Sequence, residues 1–407
     1  MEKFLESCEL NLSWMRNSGI MSQGDGEWGV AERLVTTGGN AAMDKIRHSF
    51  PAISEHEGYV IVEQRRSDCN FEAALLFALH GHCHHDSSSE TTAKNLLDFL
   101  FFRSGLLNRT DETSVIGAWN WSHIQRRYGL WFDDDGWVAA MELVLARLFP
   151  HLDERYQLRE WGRLQALDLL KAFKRTFTAA ETPREKYTDP KAVYQGRLEL
   201  PHWAVPTLCA LVMLAKEPDN DQETGRQVDA QLDAYLQFAF SRMDTFNGSE
   251  LGYLTILGAL LNWNGDAPQP HRRLLEEAVL RIQNRIDANP EYGIPPAEHF
   301  EAPTGPEKAD LIYTLNWDFL GMVLAAFCDR KFLPTARSLG EKLVEMQDTS
   351  PDLPFHGCWR GMFDCKKRTY GGGNCYEGGA GSIYSGWTNA PIALGMLLLD
   401  HLIENNN

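Results

Sequence analysis

WAVPTLCALVMLA, residues 203–215, contains no Asp, Glu, Lys or Arg. A helix that is apolar on every side has to be buried, because none of its faces can meet water. Residues 251–263, LGYLTILGALLNW, repeat the pattern. Asp153–Thr178 and Glu223–Asp244 instead carry charge along one face and belong against solvent. Working outward from these four segments, helical spacing of apolar residues predicts twelve helices: 2–18, 70–82, 89–103, 134–149, 153–178, 202–216, 223–244, 250–262, 270–288, 315–329, 334–347 and 388–404. Strand-like alternation is short and rare, as at Tyr59–Glu63.

Buried and solvent-facing helices alternate along the chain. The buried set starts near 70, 134, 202, 250, 315 and 388, so six inner helices are expected to alternate with six outer ones. Short links join inner to outer helix, which makes antiparallel hairpins. The long links Asn108–Asp133, Ala179–Pro201, Asn289–Thr314 and Asp348–Trp387 return to the next inner helix. The expected fold is all-α, an (α/α)6 toroid of six helical hairpins in one domain spanning residues 1–407. Its long loops gather at one rim, where sites are usually built.

One such loop ends in Trp131-Phe132-Asp133-Asp134-Asp135-Gly136-Trp137-Val138. Neighbouring residues point apart, so no more than two of the three carboxylates can face one pocket, leaving the third to cap the helix. Trp119, Trp121, Tyr128, Trp131 and Trp137 fall within nineteen residues, more indole than a cap requires. Acids framed by flat aromatic faces point to a sugar site. At the same rim lie Asp68 and Glu72, at i,i+4 spacing on one helix face, with Asn70 between them. His202 precedes the apolar run at 203, and Trp317 occupies the equivalent place on the fifth inner helix. Glu377 sits with Tyr376 and Tyr384 in a loop holding glycines at 371, 372, 373, 378, 379 and 381, a composition that lets backbone fold tightly beside a ligand.

The chain resembles the six-hairpin glycosidases, (α/α)6 toroids that cleave glycosidic bonds at a rim pocket. In endo-mannanases of this architecture an aspartate pair precedes Asn-Ala-Trp at the start of an inner helix. Here Asp133-Asp134 precede Asp135-Gly136-Trp137, so the resemblance implies Asp133 and Asp134 as catalytic carboxylates. A second resemblance, to uncharacterised members of the superfamily, is carried by Gly29–Arg33, Ser67–Glu72 and Gly381–Pro391.

The expected activity is glycoside hydrolysis, one protonated acid assisting the leaving oxygen and one carboxylate activating water or attacking the anomeric carbon. Asp134, Glu377 and Asp133 are the candidate catalytic residues. Asp68, Asn70, Glu72, Trp131, Asp135, Trp137, His202, Trp317, Arg360, Tyr384 and Trp387 are the candidate substrate contacts. Arg33 and Arg360 lie near rim motifs and could pair with a carboxylate, so a uronic-acid glycan is one expected substrate. Three rivals stay open: an epimerase or lyase using His202, Tyr384 and Arg360; a non-catalytic glycan-binding protein; and a zinc-dependent cyclase using Cys358, Cys365, Cys375 and His356.

The net charge of −17 and the lack of a basic run argue against a nucleic-acid footprint. No apolar stretch reaches the roughly 18 residues that cross a bilayer. Neither metal nor cofactor is expected: the ligand spacings at His80–His85 and around Cys358 match no compact zinc site, and no phosphate-binding glycine motif is present. Eight dispersed cysteines read as reduced thiols of a cytoplasmic protein. The sequence leaves the oligomeric state open.

Overall fold

The computed structural model describes residues 2–21, 25–38, 42–50, 52–110, 115–124, 129–177, 194–299, 302–351, 354–371 and 379–404. Its helices, in chain order, are α1 (Glu2–Asn17), α2 (Met43–Ser49), α3 (Ser67–His84), α4 (Ser87–Asp98) and α5 (Phe132–Leu148). Then come α6 (Pro150–Tyr156), α7 (Leu158–Thr176), α8 (Pro201–Ala215), α9 (Gln222–Arg242) and α10 (Gly248–Asn262). The series closes with α11 (Gln269–Asp287), α12 (Leu315–Cys328), α13 (Leu333–Met346) and α14 (Ala390–Glu404).

The 203–215 run lies in α8, which starts on Pro201, where a missing N–H costs nothing. Its residues from Ala204 to Leu214 are all buried. The following helix, α9, buries only Val228, Leu232, Tyr235, Leu236 and Ala239, a single stripe. Caps fix the starts of others: Asp221 receives Thr224 N on α9, and Asn247 and Glu250 form a reciprocal capping box on α10. The inner helices α3, α5, α8, α10, α12 and α14 each pack on the next, and α14 returns to α3, closing the ring. The outer helices α1, α4, α7, α9, α11 and α13 back them. The structure is thus the (α/α)6 toroid that alternating polarity predicts.

Two differences from the sequence reading have local causes. The expected helix 153–178 is two helices, broken at Gln157, whose left-handed backbone (φ 57) ends α6 and starts α7. The rim also carries a four-stranded antiparallel sheet ordered Ile53–His56, Tyr59–Val62, Arg33–Thr36, Ser382–Tyr384. Only its Tyr59 strand is expected from the sequence. All four strands are three or four residues long, too short for a period to declare itself.

That sheet brings the distant motifs together. Arg33 pairs with Tyr384 in strand register, Ser385 N donates to Glu32 O, and a π-helical turn at Ser385–Asn389 carries Trp387 to Asp68, its Nε1 donating at 2.6 Å. The three motifs at 29–33, 67–72 and 381–391 are therefore one continuous piece of the rim.

Candidate active site

A cavity of about 380 Å³ opens at the rim where the inner helices begin. This is within the range of small-molecule sites, about 300–1,000 Å³. Arg66, the residue before α3, enters from one side, and Asp133 and Asp134 enter from the first turn of α5. His202 and Trp203 come from α8, and Asn247, Ser249 and Glu250 from the start of α10. Glu32, Trp121, Trp131, His299, Tyr313, Tyr384 and Trp387 also line the wall.

The aspartate triplet separates as helical geometry requires. Asp135 turns away from the cavity: its oxygens accept from Trp131 N at 2.7 Å and Gln165 Nε2 at 2.6 Å, fastening the helix start. Asp134 Oδ1 accepts from Arg66 at 2.8 Å. The same guanidinium donates to Asp68 at 2.5 and 3.0 Å and to Glu32 at 3.2 Å. Asp133 Oδ2 lies 3.2 Å from His202 Nε2, and its buried Oδ1 has no hydrogen-bond partner.

Charge is divided unequally between Asp68 and Asp134. Burial pushes the Asp134 carboxyl well above its ordinary range; Arg66 opposes this, while the charges of Asp68 and Asp133 add to it. Burial acts on Asp68 as well, but Arg66 and hydrogen bonds from Asp134 and Trp387 outweigh it and hold Asp68 below its ordinary range. The proton therefore rests on Asp134, which donates to ionised Asp68. On Arg66 burial opposes the charge, but the acids that its guanidinium contacts outweigh burial and keep it protonated.

Aromatic faces surround these acids. Trp131 stacks on Trp203 at 5.5 Å, with Trp121 beside it at 6.5 Å. The His202 ring lies 5.3 Å from Trp387 and 6.0 Å from His299, and His299 stacks on Tyr313 at 4.0 Å. Burial, helped by His202, lowers the His299 pKa to about 3, so its ring is neutral.

No family model and no curated protein matches the sequence. Solved structures do match over nearly the whole chain. Cellobiose 2-epimerase from Bacillus thermoamylovorans superposes with a TM-score of 0.61 at 10% identity, covering 98% of this chain and 99% of that one. D-mannose isomerase gives 0.59 at 10% identity, covering 99% and 97%. Unsaturated glucuronyl hydrolase from a Bacillus species gives 0.59 at 13% identity, also covering 99% and 97%. The fold shared with these structures is the (α/α)6 toroid. At these identities the likeness establishes the toroid and leaves the chemistry to the side chains.

Within this six-hairpin toroid the candidate residues of the sequence reading fall into groups. Asp133, Asp134, Trp131, His202, Tyr384 and Trp387 line the cavity, and Asp68 stands directly behind Arg66. Several others serve packing. Asn70 is tied to backbone, Oδ1 accepting from Val30 N and Nδ2 donating to Val30 O and Arg66 O. Glu72 is buried on the helix side of Asp68, and burial then Asp68 push its carboxyl well up. Trp137 stacks on Trp317 at 5.7 Å within the ring, and Trp317 Nε1 donates to Ile312 O. Asp135 is the helix fastener described above.

The arginines proposed for a uronate are both engaged elsewhere. Arg33 is fully buried and donates to the Tyr384 hydroxyl. Arg360 is absent from the cavity wall: it donates to Asp348 at 2.6 and 2.8 Å between the rings of Phe355 and Tyr370. Glu377 and Cys375 lie outside the described residues. Among the described residues no group of three His, Cys, Asp or Glu side chains could hold a metal ion. The sequence reading missed Arg66, Glu250, His299 and Tyr313. Arg66 had a signal, since it immediately precedes the inner helix that carries Asp68; His299 and Tyr313 come from the middle and end of a long link, where no periodicity points inward.

Proposed function

We propose that this chain is a glycoside hydrolase in which Asp134 is the general acid. The observation that carries the reading is a proton-bearing carboxyl on the cavity wall beside a second carboxylate with an unpartnered oxygen. Asp134 gives its proton to the glycosidic oxygen as the bond breaks, and Arg66 then stabilises the anion that remains. Asp133, oriented by His202, activates water or attacks the anomeric carbon. Glu377 remains the alternative second carboxylate on sequence grounds. Trp121, Trp131 and Trp203 offer the flat faces on which sugar rings stack.

A screen of nitrophenyl glycosides on the wild type finds the sugar, and the matching alkyl glycoside, whose leaving oxygen needs a proton, is then given to Asp134→Asn. Cleavage of the alkyl glycoside that the variant loses while keeping its melting temperature supports the reading. The His202–His299 pair favours one other activity, epimerisation or isomerisation, in which a ring nitrogen moves a proton on an intact sugar. NMR of the products separates the two: hydrolysis creates a new reducing end, whereas epimerisation changes configuration without cleavage.

Among the described residues no helix is long and apolar enough to cross a membrane. The seven described cysteines are unpaired, which supports a reducing compartment such as the cytoplasm as the proposed location.

A further inference from the structure

We propose that the cavity refuses acidic sugars, takes a neutral sugar, and binds the amine-bearing counterpart of that sugar at least as well. The proposal rests on reading the cavity as a sugar site and adds its charge preference. Recognition of a uronate is strongest where a cation has donors to spare. Among the described residues, Arg66 is the only Arg or Lys on the cavity wall, and its donors already serve three carboxyl groups, those of Asp68, Asp134 and Glu32. His299 is neutral, and His202 is engaged by Asp133.

Acceptors, by contrast, are in surplus. Asp133 is 3% exposed, lines the cavity, and keeps Oδ1 without a partner. Glu250 adds a second carboxyl from α10. A substrate carboxylate would meet these groups with no compensating cation among the described residues, and like-charge juxtaposition costs several kcal/mol. Hydroxyls and an ammonium group are donors, which is what the unpartnered oxygen lacks.

The test is calorimetric titration of the full chain, at neutral pH, with glucose, glucosamine and glucuronic acid and with the galacto and manno counterparts. In the series that binds best, the uronate should bind at least about ten-fold more weakly than the neutral parent, and the amine at least as tightly. A uronate that matches its neutral parent overturns the proposal, as does failure of every neutral and amine sugar to bind. Glu250→Gln keeps the capping box, because Gln serves there as Glu does, and should reduce any advantage of the amine. An undiminished advantage in that variant removes Glu250 from the explanation. Binding needs no turnover, so the two proposals fail separately: the ranking can hold on a protein that cleaves nothing, and a protein that cleaves uronides best would keep the hydrolase and lose the ranking.

Discussion

The starts of α5 and α12 both bring carboxyl groups and a tryptophan to the inner edge of the ring, yet only α5 delivers its acids to the cavity. Asp133 and Asp134 meet His202 and Arg66 there. Asp318, in the first turn of α12, is fully buried with neither oxygen partnered, and burial pushes its carboxyl well above the usual range. The difference lies in what covers each helix. The backbone of α10 lies so close to α12 that a Cβ on Gly252 would come within 2.8 Å of Asp318 N, and burial outweighs the pull of Arg285 on the carboxyl. A buried acid beside a guanidinium has charge within reach; one without a partner stays neutral.

The sharpest way to break this comparison is Asp134→Asn. Both side chains are neutral in the folded state, so melting temperature should hold while kcat on a verified substrate falls about 10²–10⁴-fold. Unchanged kcat would pass the role to Asp133 or Asp68. Next in size is Arg66→Met, which strands buried carboxyl groups and should cost about 3–5 kcal/mol in denaturant unfolding. A smaller loss would mean that the acids of α5 need no cation and differ little from Asp318.

Asp310, near the start of α12, tests the same contrast through pH. Burial raises its pKa from 3.8 to about 6, against hydrogen bonds from Ile312 N, Tyr313 N and the Thr314 hydroxyl. Below its unfolded value Asp310 is protonated in both states and its contribution is whole. As pH rises to about 6 the unfolded chain releases the proton and the folded chain keeps it, so stability falls by an amount on the order of 3 kcal/mol. Asp310→Asn should flatten that part of the stability profile; an unaltered slope would place the proton elsewhere.

Gly252→Ala should cost about 1–3 kcal/mol, because α10 and α12 would have to separate, and thermal melting reads it directly. A fully stable variant would show that α10 does not seal Asp318. The smallest effect on activity is expected from Asp318→Asn, which replaces one neutral group by another of the same shape. Its kcat should not move, and a fall would put α12 back into the site.

The sequence by itself determined the ring. Charge-free runs such as 203–215 have one stable place, between other helices, and charged-faced runs such as 223–244 have one stable orientation, so their alternation fixes an inner and an outer layer. It also brought Asp133, Asp134, Asp68, His202 and Trp387 to one rim, because they sit at or beside inner-helix starts, and it limited the aspartate triplet to two cavity-facing members. Tertiary structure decided which two. Asp135 is withdrawn by Trp131 N and Gln165 Nε2, partners that no spacing reveals. Packing likewise decided that Arg66 holds Asp68 and Asp134 while Arg360 holds Asp348, and that Trp317 and Asp318 lie sealed beneath Gly252. Periodicity reports which face of a helix is apolar, whereas pairing between side chains far apart in the chain depends on how closely the backbones that carry them approach.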